Sequence, residues 1–369
     1  MKIGIITFHS AHNFGAVLQA YALNIKLFKL GYKAEIIDYR PDFITKLYSI
    51  NVLDKITQPR SLISLLSMYP TRVKKYNKFK KFIENNLCLS EKKFTSRESL
   101  DRFPFDYDVF ITGSDQVWNP EINGVMGEYF LDFVKSNAVK ISYAASFGVS
   151  CLKDQYRDAV AAKLRNLDMI SVREDDGVII VNELLGIRPP RLLDPVFLLN
   201  KKDWNEQAIT KNTNDKYILV YMMEYNEKLI EIARILSNKY KMKILNISSS
   251  IKVPNGVYKN LRDIGPKEFL GYINSAEYII TNSFHGTAFS IIFEKNFLVV
   301  PHSKLNCRIE TLLNLVGLRN RQIYNTCDVE KGCVFDGIDY TRVRTILENE
   351  RQCSEDFLLN AIGSRNETI

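Results

Sequence analysis

The chain has 369 residues, beyond the size at which one hydrophobic core usually stops growing, so two domains are expected. At 46% hydrophobic and 25% charged it has an ordinary globular composition, without low-complexity bias, and no apolar run reaches the about 18 residues of a membrane-spanning helix. The net charge of +8 asks for an anionic partner without choosing between phosphate ligands, membrane surface and nucleic acid.

Met1 to Phe8 turns polar too soon for a signal peptide, which predicts a cytoplasmic protein. Lys2 to Phe8 reads as a buried strand ending in the polar turn His9-Ser10-Ala11-His12-Asn13-Phe14-Gly15. A helix follows from Ala16 to Leu30, with Val17, Tyr21, Leu23, Leu27 and Leu30 as its apolar stripe, and Gly31 ends it. Lys33 to Tyr39 is the next strand, stopped by Pro41. This βαβ opening belongs to a doubly wound sheet. Its first turn lacks G-x-G-x-x-G, so a dinucleotide site is not expected.

Residues 42 to 102 interrupt the alternation and read as a mainly helical insertion in the first domain. Between Thr71 and Arg102, ten Lys/Arg stand against four Asp/Glu, a net of +6. Two readings are open. One is a solvated basic face. The other is a docking surface for anionic lipid or a lipid-linked phosphate. Nucleic acid is not expected, because no binding module accompanies the charge. The six cysteines, at 88, 151, 307, 327, 333 and 353, lack paired metal or redox spacing and are expected as reduced thiols.

The alternation then resumes. Asp108 to Thr112 is a strand that leads into Gly113-Ser114-Asp115-Gln116-Val117-Trp118-Asn119-Pro120, a small polar turn at a strand's carboxyl end. Val139 to Ala145 is a strand ending in Ser146-Phe147-Gly148, Asp154 to Asn166 a helix, and Met169 to Val172 a strand followed by Arg173. The Arg173 guanidinium is suited to grip phosphate or carboxylate, or else to pair with Glu174, Asp175 or Asp176. Arg191 to Leu193 closes a first domain of residues 1–197, and the polar stretch 198–216 reads as a linker.

A second domain, 217–340, begins with strand Tyr217 to Met223, helix Glu227 to Lys239 and strand Lys243 to Ile247. A helix opens at Gly265-Pro266-Lys267-Glu268. Strand Tyr278 to Thr281 then leads through Asn282-Ser283-Phe284-His285 into a helix from Gly286 to Lys295, and Phe297 to Val300 is the next strand. The turn sets Asn282, Ser283 and His285 at a helix start, which favours anions, although an ordinary cap with a bystander histidine reads equally well. Next come His302-Ser303-Lys304-Leu305-Asn306-Cys307-Arg308, a helix from Ile309 to Val316, and a final helix from Thr341 to Ile362 within the last segment, 341–369.

Polar turns thus fall at strand ends in both halves, and all four histidines (His9, His12, His285, His302) lie in them. The ligand rule for open α/β sheets predicts that the two sets face a cleft between two doubly wound domains. No spacing demands a metal, and there is neither a G-x-S-x-G elbow nor a Walker loop.

Several blocks of the sequence resemble the polysaccharide pyruvyl transferase family. They are Gly4-Ile5-Ile6-Thr7-Phe8 with Asn13-Phe14-Gly15-Ala16-Val17-Leu18-Gln19-Ala20-Tyr21, then Thr112-Gly113-Ser114-Asp115-Gln116-Val117-Trp118-Asn119, Ser142-Tyr143-Ala144-Ala145-Ser146-Phe147-Gly148 and Ser171-Val172-Arg173-Glu174. Further on are Leu193-Asp194-Pro195-Val196, Thr281-Asn282-Ser283-Phe284-His285-Gly286 and Asn306-Cys307-Arg308-Ile309-Glu310. The resemblance implies two Rossmann-like domains in a glycosyltransferase B-like arrangement, with the last helix returning to the first domain. It also implies transfer of a pyruvyl group from phosphoenolpyruvate to a sugar of a cell-surface polysaccharide or its lipid-linked precursor, giving a cyclic ketal.

Under that resemblance His285 is the acid/base candidate, and Asp115 orients acceptor hydroxyls or takes a proton. Arg173, Asn282, Ser283, Gly286 and Arg308 are donor-binding candidates, and Gly113, Ser114, Asn13, Gly15 and His12 line the acceptor; His302 ranks lower. Phosphoenolpyruvate enters as a co-substrate, and no cofactor or metal is expected. A polyprenyl-linked acceptor would bring the basic insertion to the inner membrane face as a peripheral contact. Two alternatives stay open: a glycosyltransferase using a nucleotide sugar, and a non-catalytic member that binds a phosphorylated glycan in a polysaccharide assembly complex.

Overall fold

The computed structural model describes residues 1–48, 60–209, 215–302, 306–330 and 337–363. Part of the expected linker, part of the basic insertion and the Ser303-Lys304-Leu305 stretch lie outside them. The chain divides into two compact units, Met1–Tyr48 with Ile83–Leu199 and Ile346–Ile369, and Ser49–Phe82 with Asn200–Thr345. Each unit carries a parallel five-stranded sheet.

In the first unit the strands are β1 (Lys2–Ile6), β2 (Lys33–Tyr39), β3 (Leu89–Phe94), β4 (Val109–Gly113) and β5 (Val139–Tyr143), in the order β3-β2-β1-β4-β5. Central strands here are continuous apolar runs because both faces are covered; Ile3, Ile5, Ile6, Val109, Phe110 and Ile111 have no exposed surface. Single parallel bridges, Ile141 to Met169 and Val172 to Arg191, continue the sheet past β5. The order reverses between β1 and β4, and that reversal is where α/β sheets of this kind bind ligands.

The second unit repeats the plan. Its strands β6 (Tyr217–Tyr221), β7 (Lys243–Ile247), β8 (Lys259–Leu261), β9 (Tyr278–Thr281) and β10 (Asn296–Val299) run in the order β10-β9-β6-β7-β8. The reversal here falls between β6 and β9, which pair from Ile218↔Tyr278 to Tyr221↔Thr281. Helices Glu227–Tyr240, Pro266–Ser275 and Phe284–Ile292 follow in order and cover the sheet.

Several features refine the sequence expectation. The 42–102 segment is not wholly helical: Leu89–Phe94 is a strand paired with β2, and its run of charge is that of an edge strand with exposed Glu91, Lys92 and Lys93. The helix Arg60–Asn86 is split, its residues to Phe82 grouping with the second unit, where Lys78 pairs with Glu268 at 2.6 Å. The stretch expected as a linker holds a helix, Lys201–Gln207, started by a capping box in which Asn200 and Asp203 bond each other's backbone N–H groups. That helix turns Trp204 inward, fully buried and edge-on to Phe289 with ring centroids 5.0 Å apart. The final helix, Tyr340–Gly363, groups with the first unit from Ile346 onward, through Lys26–Glu355 and the Arg351 bond to the Phe197 carbonyl.

Truncating a buried tryptophan costs about 3–5 kcal/mol. Trp204→Ala is therefore expected to lower the stability of the second unit by an amount in that range, read as a shift in its denaturant midpoint. A residue in a solvated linker would leave the midpoint where it is.

Candidate active site

The carboxyl edge of the first sheet is built around buried ionic groups. β4 runs into Gly113, where a Cβ would lie 2.7 Å from a terminal methyl of Leu23, so the strand end packs closely on the first helix. Thr7 after β1 donates to the Ser114 carbonyl (3.1 Å), and Gln19 donates to the Thr7 hydroxyl (2.9 Å), which ties the two strand ends at the reversal. Asp115 sits in the left-handed region (φ 68°) and accepts from the Gln116 N–H.

Behind this turn Arg173, with a side chain 2% exposed, pairs with Asp194, and its Nη1 lies 3.4 Å from Ser114 Oγ. Burial opposes the guanidinium charge, but Asp194, Glu174 and Asp115 outweigh it and hold the group cationic. Glu174, fully buried, accepts from the Ser146 hydroxyl and from the Phe147 and Gly148 N–H groups at 2.8–3.2 Å. Of the two roles the sequence leaves open for Arg173, ligand grip or ion pair, the structure shows it held by Asp194 and Glu174 beneath the turn. Asn13 caps the first helix, accepting from the Gly15 and Ala16 N–H groups, and His12 beside it is half-buried. The His12 ring lies 5.6 Å from that of Tyr48. Burial, with Asp115 adding to it, pushes the Tyr48 phenol up to about 12.

His9 belongs to a different arrangement. It has no exposed surface; Nε2 donates to Asp38 (2.9 Å), while Nδ1 faces the Thr7 carbonyl at 3.3 Å. Arg40 adds a two-pronged contact to the same carboxylate. His9 and Asp38 therefore join the first two strand ends from inside.

In the second unit the reversal is bridged by side chains again. Thr281 donates to the Tyr221 carbonyl (2.6 Å) and accepts from the Ser283 N–H (3.0 Å). Asn282 accepts from the Met223 N–H and donates to the Glu224 carbonyl, both at 2.8 Å. Ser283 caps the helix Phe284–Ile292 through the Gly286 N–H. A Cβ at Gly286 would stand 2.4 Å from Thr281 Oγ1, so the helix start closes on the strand end only with glycine there. His285 lies in this first turn, 7% exposed, its ring edge-on to Phe284. Arg308, also buried, opens the helix Cys307–Leu315 after β10.

Asn282, Ser283, His285 and Gly286 thus share one turn, and Gly113, Ser114 and Asp115 share another, with Arg173 beneath it. Three participants were missed as site residues: Tyr48, Glu174 and Glu224. Tyr48 ends a short helix in a polar stretch, and Glu224 follows a strand by three residues, so neither carries a motif. Glu174 was read only as a surface partner of Arg173. Among the described residues no three His, Cys, Asp or Glu are grouped to hold a metal, and no helix is long and apolar enough to cross a membrane.

Two parallel five-stranded sheets with polar turns at their reversals define the class: an α/β protein of two doubly wound units. The fold is shared with a Listeria monocytogenes protein described as a UDP-N-acetylglucosamine 2-epimerase (8% identity, 100% of this chain and 97% of that one, TM-score 0.54). It is also shared with S. aureus MnaA, solved with UDP (11% identity, 99% and 97%, TM-score 0.52). At such identities the likeness is one of fold alone. Comparison with curated proteins finds no match. The family model described as "Polysaccharide pyruvyl transferase" matches residues 13–304, and the chain belongs to that family.

The Asp38 pair makes a pH prediction. Burial favours the neutral carboxyl, but hydrogen bonds and charge from His9 and Arg40 together bring its pKa down to about 2. An unfolded Asp titrates near about 3.9. The stability this group contributes is complete above that value and is lost as the pH falls to about 2. Acid unfolding of the first unit should therefore be shallower over that window in Asp38→Asn than in the parent chain. Parallel acid limbs would contradict it.

Proposed function

We propose that this chain moves a pyruvyl group from phosphoenolpyruvate to two hydroxyls of one sugar in a cell-surface polysaccharide or its polyprenyl-linked precursor, forming a cyclic ketal. The observation that carries the reading is the placement of His285. The imidazole lies in the first turn of the helix that follows β9, at the sheet's reversal, with Asn282 and Ser283 fixing the turn around it. Family membership points the same way.

In this reaction one sugar oxygen adds to C2 of phosphoenolpyruvate while C3 gains a proton and becomes a methyl group. The second sugar oxygen then bonds C2 as the C2–O bond to phosphorus breaks, and inorganic phosphate leaves with that electron pair. His285 delivers the C3 proton. The helix start with Ser283, Asn282 and Gly286, and Arg308 after β10, receives the donor's anionic groups. Arg173, held by Asp194 and Glu174, fixes the 113–115 turn of the first unit from beneath. Asp115, with Gly113, Ser114, His12, Asn13 and Gly15, orients the acceptor hydroxyls. An acid/base group and an anion clamp complete the chemistry, so the proposal includes no metal or cofactor.

His285→Ala should lower acceptor-dependent phosphate release by about a hundredfold or more. Phosphoenolpyruvate should still raise the melting temperature of the folded variant, since a ligand of the native state stabilises it. An undiminished rate would remove His285 from the mechanism. A parent protein stabilised by a nucleoside diphosphate and not by phosphoenolpyruvate would favour nucleotide-sugar transfer.

The basic segment gives the proposal a place to work. Lys78 is paired with Glu268, Arg97 with Asp101 and Asp132, and burial lowers the pKa of Lys75. Six of the ten cations are exposed: Lys74, Lys80, Lys81, Lys92, Lys93 and Arg102. We propose that they hold the enzyme peripherally at an anionic inner membrane face, where a polyprenyl-linked acceptor lies. Co-sedimentation with vesicles should require anionic lipid and weaken as salt rises, because exposed charges are screened. Binding indifferent to both would sink the idea.

A further inference from the structure

Three adjacent strand ends of the second sheet are joined by side chains, two of which, Glu224 and His302, the reaction above leaves unused. Glu224 follows β6, Asn282 follows β9 and His302 follows β10, and these strands lie side by side in the order β10-β9-β6. Asn282 fixes the Glu224 backbone by accepting from the Met223 N–H and donating to the Glu224 carbonyl. The Glu224 carboxylate meets His302 Nδ1 at 3.3 Å. The His302 backbone is fixed in turn, its N–H donating to Asn306 Oδ1 (2.7 Å) and its carbonyl accepting from Asn306 Nδ2 (2.8 Å). Both members of the pair are therefore positioned by their main chains.

Exposure separates this pair from His9 and Asp38. The His9 and Asp38 side chains are 0% and 9% exposed, which suits a sealed tie between strands. Those of His302 and Glu224 are 17% and 40% exposed, at the sheet edge where ligands bind. A carboxylate that holds the Nδ1 proton of a neutral imidazole makes Nε2 its base and stabilises the imidazolium once formed.

We propose that His302, oriented by Glu224, is the base that takes the proton of an attacking sugar hydroxyl. The inference rests on the pyruvyl-transfer reading and completes its proton balance. As the first sugar O–H bond breaks, its electron pair forms the O–C2 bond and the proton passes to His302 Nε2; the proton of the second hydroxyl passes to His285, which has given its own to C3. The phosphate departs with the electrons of the C2–O bond, and the proton later leaves His302 for phosphate or water. His285 gives a proton to carbon; His302 takes one from oxygen. Glu224 acts through His302 and is a positioning residue.

The test measures acceptor-dependent phosphate release by the full chain, its His302→Gln, His302→Ala, Glu224→Gln and Glu224→Asp variants, together with KM for phosphoenolpyruvate and melting temperature. The expected result is a kcat about a hundredfold lower in His302→Gln, with KM and melting temperature kept. Glu224→Gln should lose a smaller factor, Glu224→Asp should recover most of it, and added imidazole should restore part of the His302→Ala rate. An active parent chain with His302→Gln at its full rate overturns the base assignment and leaves pyruvyl transfer standing. A fall in kcat matched by a fall in melting temperature, without imidazole rescue, marks a structural pair and overturns it too. A parent chain that neither releases phosphate nor is stabilised by phosphoenolpyruvate overturns both readings.

Discussion

A parallel sheet that reverses its strand order leaves a gap at the reversal, and this protein has two such sheets. Beyond the last paired residues of β1 and β4, or of β6 and β9, no ladder holds the chain, yet the turns there are buried and their backbone groups need partners. Side chains supply them. Thr7 does so at the reversal of the first unit, where the Ser114 N–H also reaches the Tyr143 carbonyl, and Thr281 and Asn282 do so in the second. Everything assigned to chemistry here stands on turns fixed in this way.

The two units meet this constraint by different means. The first uses charge: a buried guanidinium between carboxylates, one of which receives three donors from the 146–148 turn. Such a cluster is costly to desolvate and holds only while all its members are present, since removing one leaves an uncompensated buried charge. The second uses neutral amides and hydroxyls, with glycine where strand and helix ends nearly touch. At the same edge His302 and Glu224 pair with each other at 3.3 Å. Preorganised turns of this kind are what catalysis asks of a scaffold.

Much of this was legible in the sequence. Apolar runs punctuated by polar turns marked the strands of both sheets, and the 281–286 turn was readable down to its cap because Asn, Ser and Gly have definite local preferences. Failures came where tertiary contacts outweigh local pattern. Leu89–Phe94 carries charge because it is an edge strand, so no alternation betrayed it. Trp204 sits in a polar stretch, and only the capping box around it signalled a helix. Arg173 was recognised as special, but whether a guanidinium faces a ligand or a buried Asp194 depends on residues distant in sequence. Glu224 was invisible for the same reason: its meaning comes from His302, far along the chain.

The central claim is that phosphoenolpyruvate gives up its three-carbon unit and not its phosphoryl group. The most direct measurement uses phosphoenolpyruvate carrying heavy oxygen in the bridge between C2 and phosphorus, turned over with a sugar acceptor. Pyruvyl transfer breaks the C2–O bond, so the account predicts the label in the released phosphate and a pyruvyl ketal on the sugar. Label retained in a three-carbon product, with the sugar unchanged or phosphorylated, would mean cleavage at phosphorus and would contradict it.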